Sequence, residues 1–99
     1  MENQIKSRNE VIIVGKIVTR QRKVKCNGQE AIKIGVAMKN YSDSKAGPNI
    51  AYVYVYDDGK IYDLLKRRQN VSINGHIECN YGQRIIVDVI NVIKEPLSI

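Results

Sequence analysis

Residues 52–56 read Tyr-Val-Tyr-Val-Tyr, an alternation that fits an extended strand, whose side chains point by turns to opposite faces. Tyr52, Tyr54 and Tyr56 then line one face, and Val53 and Val55 the other. The rest of the chain has the same bias. Fifteen Ile and eleven Val stand against three Leu, with no Phe and no Trp. β-Branched side chains pack well on a pleated surface, so the core is expected to be sheet rather than a helix bundle.

The row holds half of the six aromatics, on what should be an outer sheet face. Tyrosines two apart on a strand stand about 6.5–7 Å from each other. A ring stacked between two splayed bases needs a similar gap, about twice the 3.4 Å base rise. The row therefore suits single-stranded nucleic acid. Tyr is also a strong strand former that pairs across strands, and it is enriched at subunit interfaces. Strand geometry alone leaves all three readings open.

Ninety-nine residues suffice for one domain, 1–99, with a core over about 9–95 and a short polar N-terminal arm, 1–8. No apolar run approaches the length of a membrane span. Residues 1–9 are polar and lack the apolar middle of a signal peptide, so a cytoplasmic protein is expected. The net charge of +6, from 16 Lys and Arg against 10 Asp and Glu, favours polyanionic partners. No basic amphipathic helix long enough to lie on a membrane is visible, so no membrane partner is expected. Cys26 and Cys79 could pair, but in a chain of this kind they read as free, buried thiols.

Along the chain, 11–18 forms a first strand with Gly15 at a bulge or bend. Residues 19–25 are basic and extended, and Cys26-Asn27-Gly28-Gln29 carries a hairpin signal. A second strand, 31–39, turns Ile32, Ile34, Val36 and Met38 to the core and Lys33, Gly35, Ala37 and Lys39 outward. Residues 40–49, with Ser, Asp, Gly and Pro, form a loop before the tyrosine strand, 50–56. Asp57-Asp58-Gly59 offers a turn and an N-cap for a short helix over 60–68. Ile61, Leu64, Leu65 and Arg68 form its stripe, and Lys66, Arg67 and Arg68 suit its C-terminus. A fourth strand, 71–79, points Val71, Ile73 and Ile77 inward and bends at Gly75; a tight hairpin over 80–83 leads to the last strand, 84–93. This order makes an all-β fold: a five-stranded Greek-key barrel with one short helix between strands three and four, the OB-fold arrangement.

Several segments resemble the bacterial single-stranded DNA-binding protein family. Asn9-Glu10-Val11-Ile12-Ile13-Val14-Gly15-Lys16-Ile17 is similar to its opening strand, and Ala37-Met38-Lys39-Asn40-Tyr41 to the end of its second. Tyr52 to Tyr56 with Gly59-Lys60 resembles its third strand and helix start, and Leu64-Leu65-Lys66-Arg67 its helix end. Val71-Ser72-Ile73-Asn74-Gly75-His76-Ile77 resembles its Val-x-Ile-x-Gly-x-Leu fourth strand. The resemblance implies single-stranded DNA binding without sequence specificity, in DNA replication, recombination or repair, by a homodimer or homotetramer. It also places stacking aromatics near Tyr41 and Tyr81. The family's Trp and Phe are replaced here by Tyr, its loop between strands four and five is shorter, and its Gly-rich tail with an acidic, Phe-ending tip is missing. The chain thus resembles a compact, tailless member of the phage, plasmid or mobile-element kind, or a primosomal replication protein of the same fold.

The candidate nucleic-acid-binding residues are Tyr41, Tyr52, Tyr54, Tyr56 and Tyr81, with Lys23, Lys25, Lys33, Lys39 and Arg84 to neutralise phosphates. Tyr62, on the helix, reads as packing. His76, Cys79 and Cys26 do not read as a metal site, because 76 and 79 fall on opposite faces of a strand and a fourth ligand is lacking. The one histidine has no evident nucleophile or carboxylate partner. No enzyme activity and no cofactor are expected. Two alternatives remain: a replication adaptor whose tyrosine face meets protein, and an RNA-binding module.

Overall fold

The computed structural model describes residues 7–39, 47–80 and 82–94. Its elements run β1 (Val11–Ile17), β2 (Arg22–Cys26), β3 (Gln29–Met38), β4 (Asn49–Tyr56), α1 (Ile61–Leu64), β5 (Asn70–Glu78) and β6 (Arg84–Ile93). The sheet order is β1-β5-β6-β4-β3-β2, and β1 also pairs with β3. That last pairing, Lys16 against Ala37 and Ile17 against Val36, closes a five-stranded barrel. The basic stretch read as merely extended is β2, which carries on along β3 where β1 leaves off. β4 and β6 run parallel and the other pairs antiparallel.

The alternation read from the sequence is what fills the barrel. Ile32, Ile34 and Val36 of β3, Val53 and Val55 of β4, and Val71 and Ile73 of β5 meet in one core with Ile13, Ile17, Leu65 and Val87. Burying each such side chain contributes about 1.5–3 kcal/mol. The β2–β3 connection is a two-residue turn: Cys26 faces Gln29, and Asn27 (φ 52°) and Gly28 (φ 78°) both take the left-handed conformation. This is the turn that Asn-Gly favours, because its twist matches the strands it joins.

Both expected bends sit at close approaches between strands. A Cβ on Gly15 would collide with the Ala37 carbonyl oxygen, and one on Gly75 with that of Ile86. At Gly75 the register of β5 against β6 shifts, so that Gly75 faces Val87, Asn74 faces Val89, and Asp88 is the extra residue of a bulge. Ahead of β1, the Asn9 side chain both donates to the Ile77 carbonyl (2.6 Å) and accepts from its N–H (2.8 Å). One amide thereby extends the β1–β5 ladder.

The helix is shorter than the sequence suggested. It spans Ile61–Leu64, and Leu65 already has extended geometry (φ −96°, ψ 97°). Its expected stripe is not one face, since Leu65 is buried while Leu64 is exposed. The chain instead turns back through a left-handed Arg68 (φ 77°) to bond with β1. The Arg68 N–H reaches the Ile17 carbonyl at 2.7 Å, and the Ile17 N–H reaches that of Gln69 at 2.8 Å. Two strand-like bonds replace the last helical turns, so the cations at 66–68 cap no helix. The expected cap also shifts: the N-cap is Lys60, without a side-chain cap bond, while Asp58 closes the turn before it, its Oδ1 accepting from the Lys60 and Ile61 N–H groups at 2.9 and 3.1 Å. Those two bonds hold its carboxyl below the usual range. No helix among the described residues is long and apolar enough to cross a membrane.

Candidate nucleic-acid interface

Because Val53 and Val55 point into the barrel, Tyr52, Tyr54 and Tyr56 point out of it. On β3, Gly35 lies opposite Tyr52, Lys33 opposite Tyr54 and Ala31 opposite Tyr56. Gly35 keeps room for the first ring: a Cβ there would stand 3.2 Å from Tyr52 Cε1 and 2.8 Å from Thr19 Cγ2. Thr19 Oγ1 accepts the Gly35 N–H at 2.8 Å, which fixes this small floor. Tyr52 is exposed, whereas Tyr54 and Tyr56 are half-buried against Cys26, Ala31, Ile86 and Val24. The row is thus a stepped aromatic shelf, freest at Tyr52.

Cations sit over the rings. Lys33 Nζ lies 5.1 Å from the centre of Tyr52 and 5.7 Å from that of Tyr54, and the Arg84 guanidinium lies 5.5 Å from Tyr54 on the β6 side. Each such contact contributes about 0.5–1 kcal/mol at an exposed site. It also places positive charge where a phosphate beside a stacked base would run.

The candidate cations do not all share this face. On β2, Lys23 pairs with Ile32 and Lys25 with Glu30; since Ile32 points into the core, both lysines lie on the opposite side of β2 from the row. Lys23 instead sits 4.8 Å over the Tyr62 ring, which supports the packing role read for Tyr62, and Lys25 approaches Glu30 at 3.9 Å. Lys39, exposed just past β3, continues the outward alternation of Lys33, Gly35 and Ala37. Tyr41 and Tyr81 lie outside the described residues. Two cations not singled out from the sequence join the face by register: exposed Arg22 opposite Lys33, and exposed Lys16 opposite Ala37. Strand alternation in β2 carries the Arg22 signal, because Lys23 and Arg22 cannot face the same way.

At the β6 side the shelf ends in a polar network. The Asn27 amide donates to the Tyr56 hydroxyl (3.1 Å) and to Glu78 Oε1 (2.8 Å). Glu78 Oε2 lies 2.7 Å from His76 Nε2, and Asp88 Oδ2 lies 2.9 Å from His76 Nδ1. The expectation that His76 lacks a carboxylate partner is corrected here. Glu78 is two residues away on the same face of β5, and the β6 bulge delivers Asp88. Hydrogen bonds that His76 donates to Asp88 and then to Glu78 raise its pKa, against a smaller opposing effect of burial. At Tyr56 the Asn27 bond lowers the pKa, but burial, Cys26 and Glu78 together leave it raised. Arg84 Nη1 reaches the buried Cys26 Sγ at 3.6 Å, tying β6 to the β2–β3 turn.

A different surface covers β1, β5 and the second half of β6. Ile12, Val14 and Val89 are 65%, 49% and 52% exposed. Across the ladders their neighbours are Asn74, opposite both Ile12 and Val89, and Ser72, opposite Val14 and Asn91. None of these six side chains carries a charge.

No protein-family model matches the sequence, and neither does any curated protein. Solved structures do match in shape. A yeast (S. cerevisiae) mitochondrial single-stranded DNA-binding protein, Rim1, superposes with a TM-score of 0.70 at 16% identity, over 93% of this chain and 100% of that one. The dimeric N-terminal domain of PriB from Thermoanaerobacter tencongensis gives 0.68 at 15% identity, over 88% and 98%. The Plasmodium falciparum SSB in complex with single-stranded DNA gives 0.64 at 17% identity, over 93% and 100%. The chain has the OB-fold of the SSB-type proteins, a closed five-stranded barrel with one very short helix.

Proposed function

We propose that this protein binds single-stranded DNA without sequence specificity, by stacking bases on Tyr52, Tyr54 and Tyr56 and neutralising phosphates with Lys33, Arg84, Arg22 and Lys39. One observation carries this reading: three outward tyrosines in a row with Lys33 and Arg84 over their rings. Stacking tolerates any base because every base has a π-face. The solved structures of similar shape support it, one of them holding single-stranded DNA. The protein acts by holding a strand in DNA replication, recombination or repair, and the chemistry belongs to partner enzymes.

It works as a homodimer or homotetramer. The uncharged Ile12, Val14 and Val89 surface supports this, since a protein of net charge +6 would otherwise leave apolar side chains in water. A PriB domain of similar shape is dimeric. Stacking copies on this surface leaves every tyrosine shelf open, and several barrels lengthen a track that one OB-fold covers for only about 4–16 nucleotides.

Titration with single-stranded DNA, duplex DNA and RNA at two salt concentrations tests the reading. Single strands should bind more tightly than duplex, with an affinity that falls as salt rises. Equal affinity for duplex and single strand overturns it. A preference for RNA moves the function to the RNA-binding alternative.

A further inference from the structure

The Tyr56 hydroxyl is held by a chain of side chains, and the chain ends at an imidazole. Each link is short: Tyr56 OH to Asn27 Nδ2 3.1 Å, Asn27 Nδ2 to Glu78 Oε1 2.8 Å, Glu78 Oε2 to His76 Nε2 2.7 Å, and His76 Nδ1 to Asp88 Oδ2 2.9 Å. We propose that Asn27 and His76 are positioning residues for Tyr56, so that the charge on His76 sets how firmly the end of the shelf is held and with it the affinity for a single strand. This rests on the binding reading above.

The chemistry follows from counting donors. An ionised carboxylate only accepts hydrogen bonds, so an imidazole flanked by two of them must donate from both ring nitrogens, and only the imidazolium does so. Asn27 has two amide hydrogens and two acceptors, Tyr56 and Glu78. Its backbone is held in the left-handed turn (φ 52°), so only the side-chain torsions are left to move, and the aim of the amide depends on its two partners. Loss of the proton from His76 leaves one ring N–H. If that N–H stays on Nδ1, Glu78 faces a lone pair and is pushed off. If it moves to Nε2, Glu78 keeps a neutral bond in place of a charge-assisted one about twice as strong. In both tautomers Glu78 is held less firmly, then Asn27, then Tyr56.

The surroundings favour the charged state. β5 supplies Glu78 and β6 supplies Asp88, while the nearest cation on β6, Arg84, is turned to Tyr54 and Cys26. The raised pKa of His76 has the same origin. The switch therefore operates above the ordinary histidine value. His76 stands abreast of Ile86 on β6, and Ile86 abreast of Tyr54 on β4, so the relay borders the shelf without occupying it.

Single-strand affinity measured from about pH 6 to about pH 9 tests the proposal, with a companion NMR titration of the free protein. Wild-type affinity should fall by about three- to tenfold across this range, the worth of one hydrogen bond. Asn27→Gly suits the left-handed turn, keeps His76 and both carboxylates, and cuts the relay; Tyr56→Phe cuts it while keeping the ring. Both variants should flatten the profile to that of His76→Gln. If Asn27→Gly and Tyr56→Phe keep the wild-type profile, His76 acts only through long-range charge and the proposal fails. In the free protein the Tyr56 ring signals should follow the His76 titration, and cease to do so in Asn27→Gly. Tyr56 signals that ignore His76 overturn the relay even where DNA binds. Absence of DNA binding at every pH overturns the functional reading instead, and the NMR arm still decides the relay.

Discussion

The barrel presents two outer surfaces built by one rule, and they have opposite chemistry. Along β3 and β4 the outward positions hold Lys33, Tyr52, Tyr54 and Tyr56; along the first halves of β1 and β5 and the second half of β6 they hold Ile12, Val14, Ser72, Asn74, Val89 and Asn91. Alternation decides which side chains face out, not which kind they are. Interspersed charges of both signs are what solubility alone would select, and neither surface shows them. One is aromatic and cationic, suited to a polyanion with exposed rings. The other is aliphatic and neutral, suited to its own copy. Under the proposed function, each side of the barrel takes a separate partner.

The strongest way to break this contrast is a charge on the aliphatic side. Val14→Asp should dissociate the proposed oligomer, because a two-fold contact counts twice the burial of a side chain already half-covered in the protomer, at about 1 kcal/mol each, and would bury an unpaired carboxylate. Light scattering should show a monomer whose intrinsic single-strand affinity is unchanged; unaltered mass would remove this surface from the assembly. On the other side, Tyr54→Ala should weaken DNA binding by about 1–3 kcal/mol without altering mass. If it shifts mass and spares affinity, the tyrosine face is a protein interface, as the adaptor alternative holds.

Smaller effects sharpen the picture. Lys33→Ala should reduce the log–log salt slope of binding by about 0.7, one phosphate contact, whereas Lys23→Ala, on the far side of β2, should leave the slope alone. Equal slopes for both variants would mean that the rings do not mark the path of the strand. The smallest effect is on stability. The folded pKa of His76 lies above its unfolded value. Its contribution is therefore complete below about pH 6.5 and lost as pH rises through the folded value. Thermal unfolding should show Tm decreasing on that rise in the wild type, and a flatter profile in His76→Gln. A wild-type Tm insensitive to this range would mean that the imidazolium bonds add nothing to the fold.

What the sequence revealed and what it hid divide along local and non-local lines. The tyrosine row, the inward Ile32, Ile34 and Val36, the Asn-Gly turn and the bend at Gly75 depend on neighbours in the chain, and all are visible in the letters. The helix end was not, because Arg68 and Gln69 prefer backbone partners on β1, some fifty residues earlier. Nor was the partnership of His76 with Asp88, which needs the β6 bulge, or the separation of Lys23 from Lys33, which needs the β2–β3 register. Basic residues in a strand read as one group until pairing sorts them onto two faces. Arg22 is hidden in the sequence for the same reason that Lys23 stands out in it.

Asn9 gives the two-sided design a lock on slippage. A strand that shifts by one residue against its neighbour exchanges its inward and outward sets. In β1 that shift would bury Lys16 and expose Ile13 and Ile17. The side chain of Asn9 grips both polar groups of Ile77, 68 residues away, and the grip forms in one alignment only. A two-residue shift, which would preserve the faces, forfeits both bonds as well. Asn9→Ala therefore removes a proofreading contact: hydrogen exchange should quicken first at Val11 and Ile77, ahead of the barrel core. One amide, outside every strand, thus guards the alignment that keeps the aliphatic side of the barrel distinct from its interior.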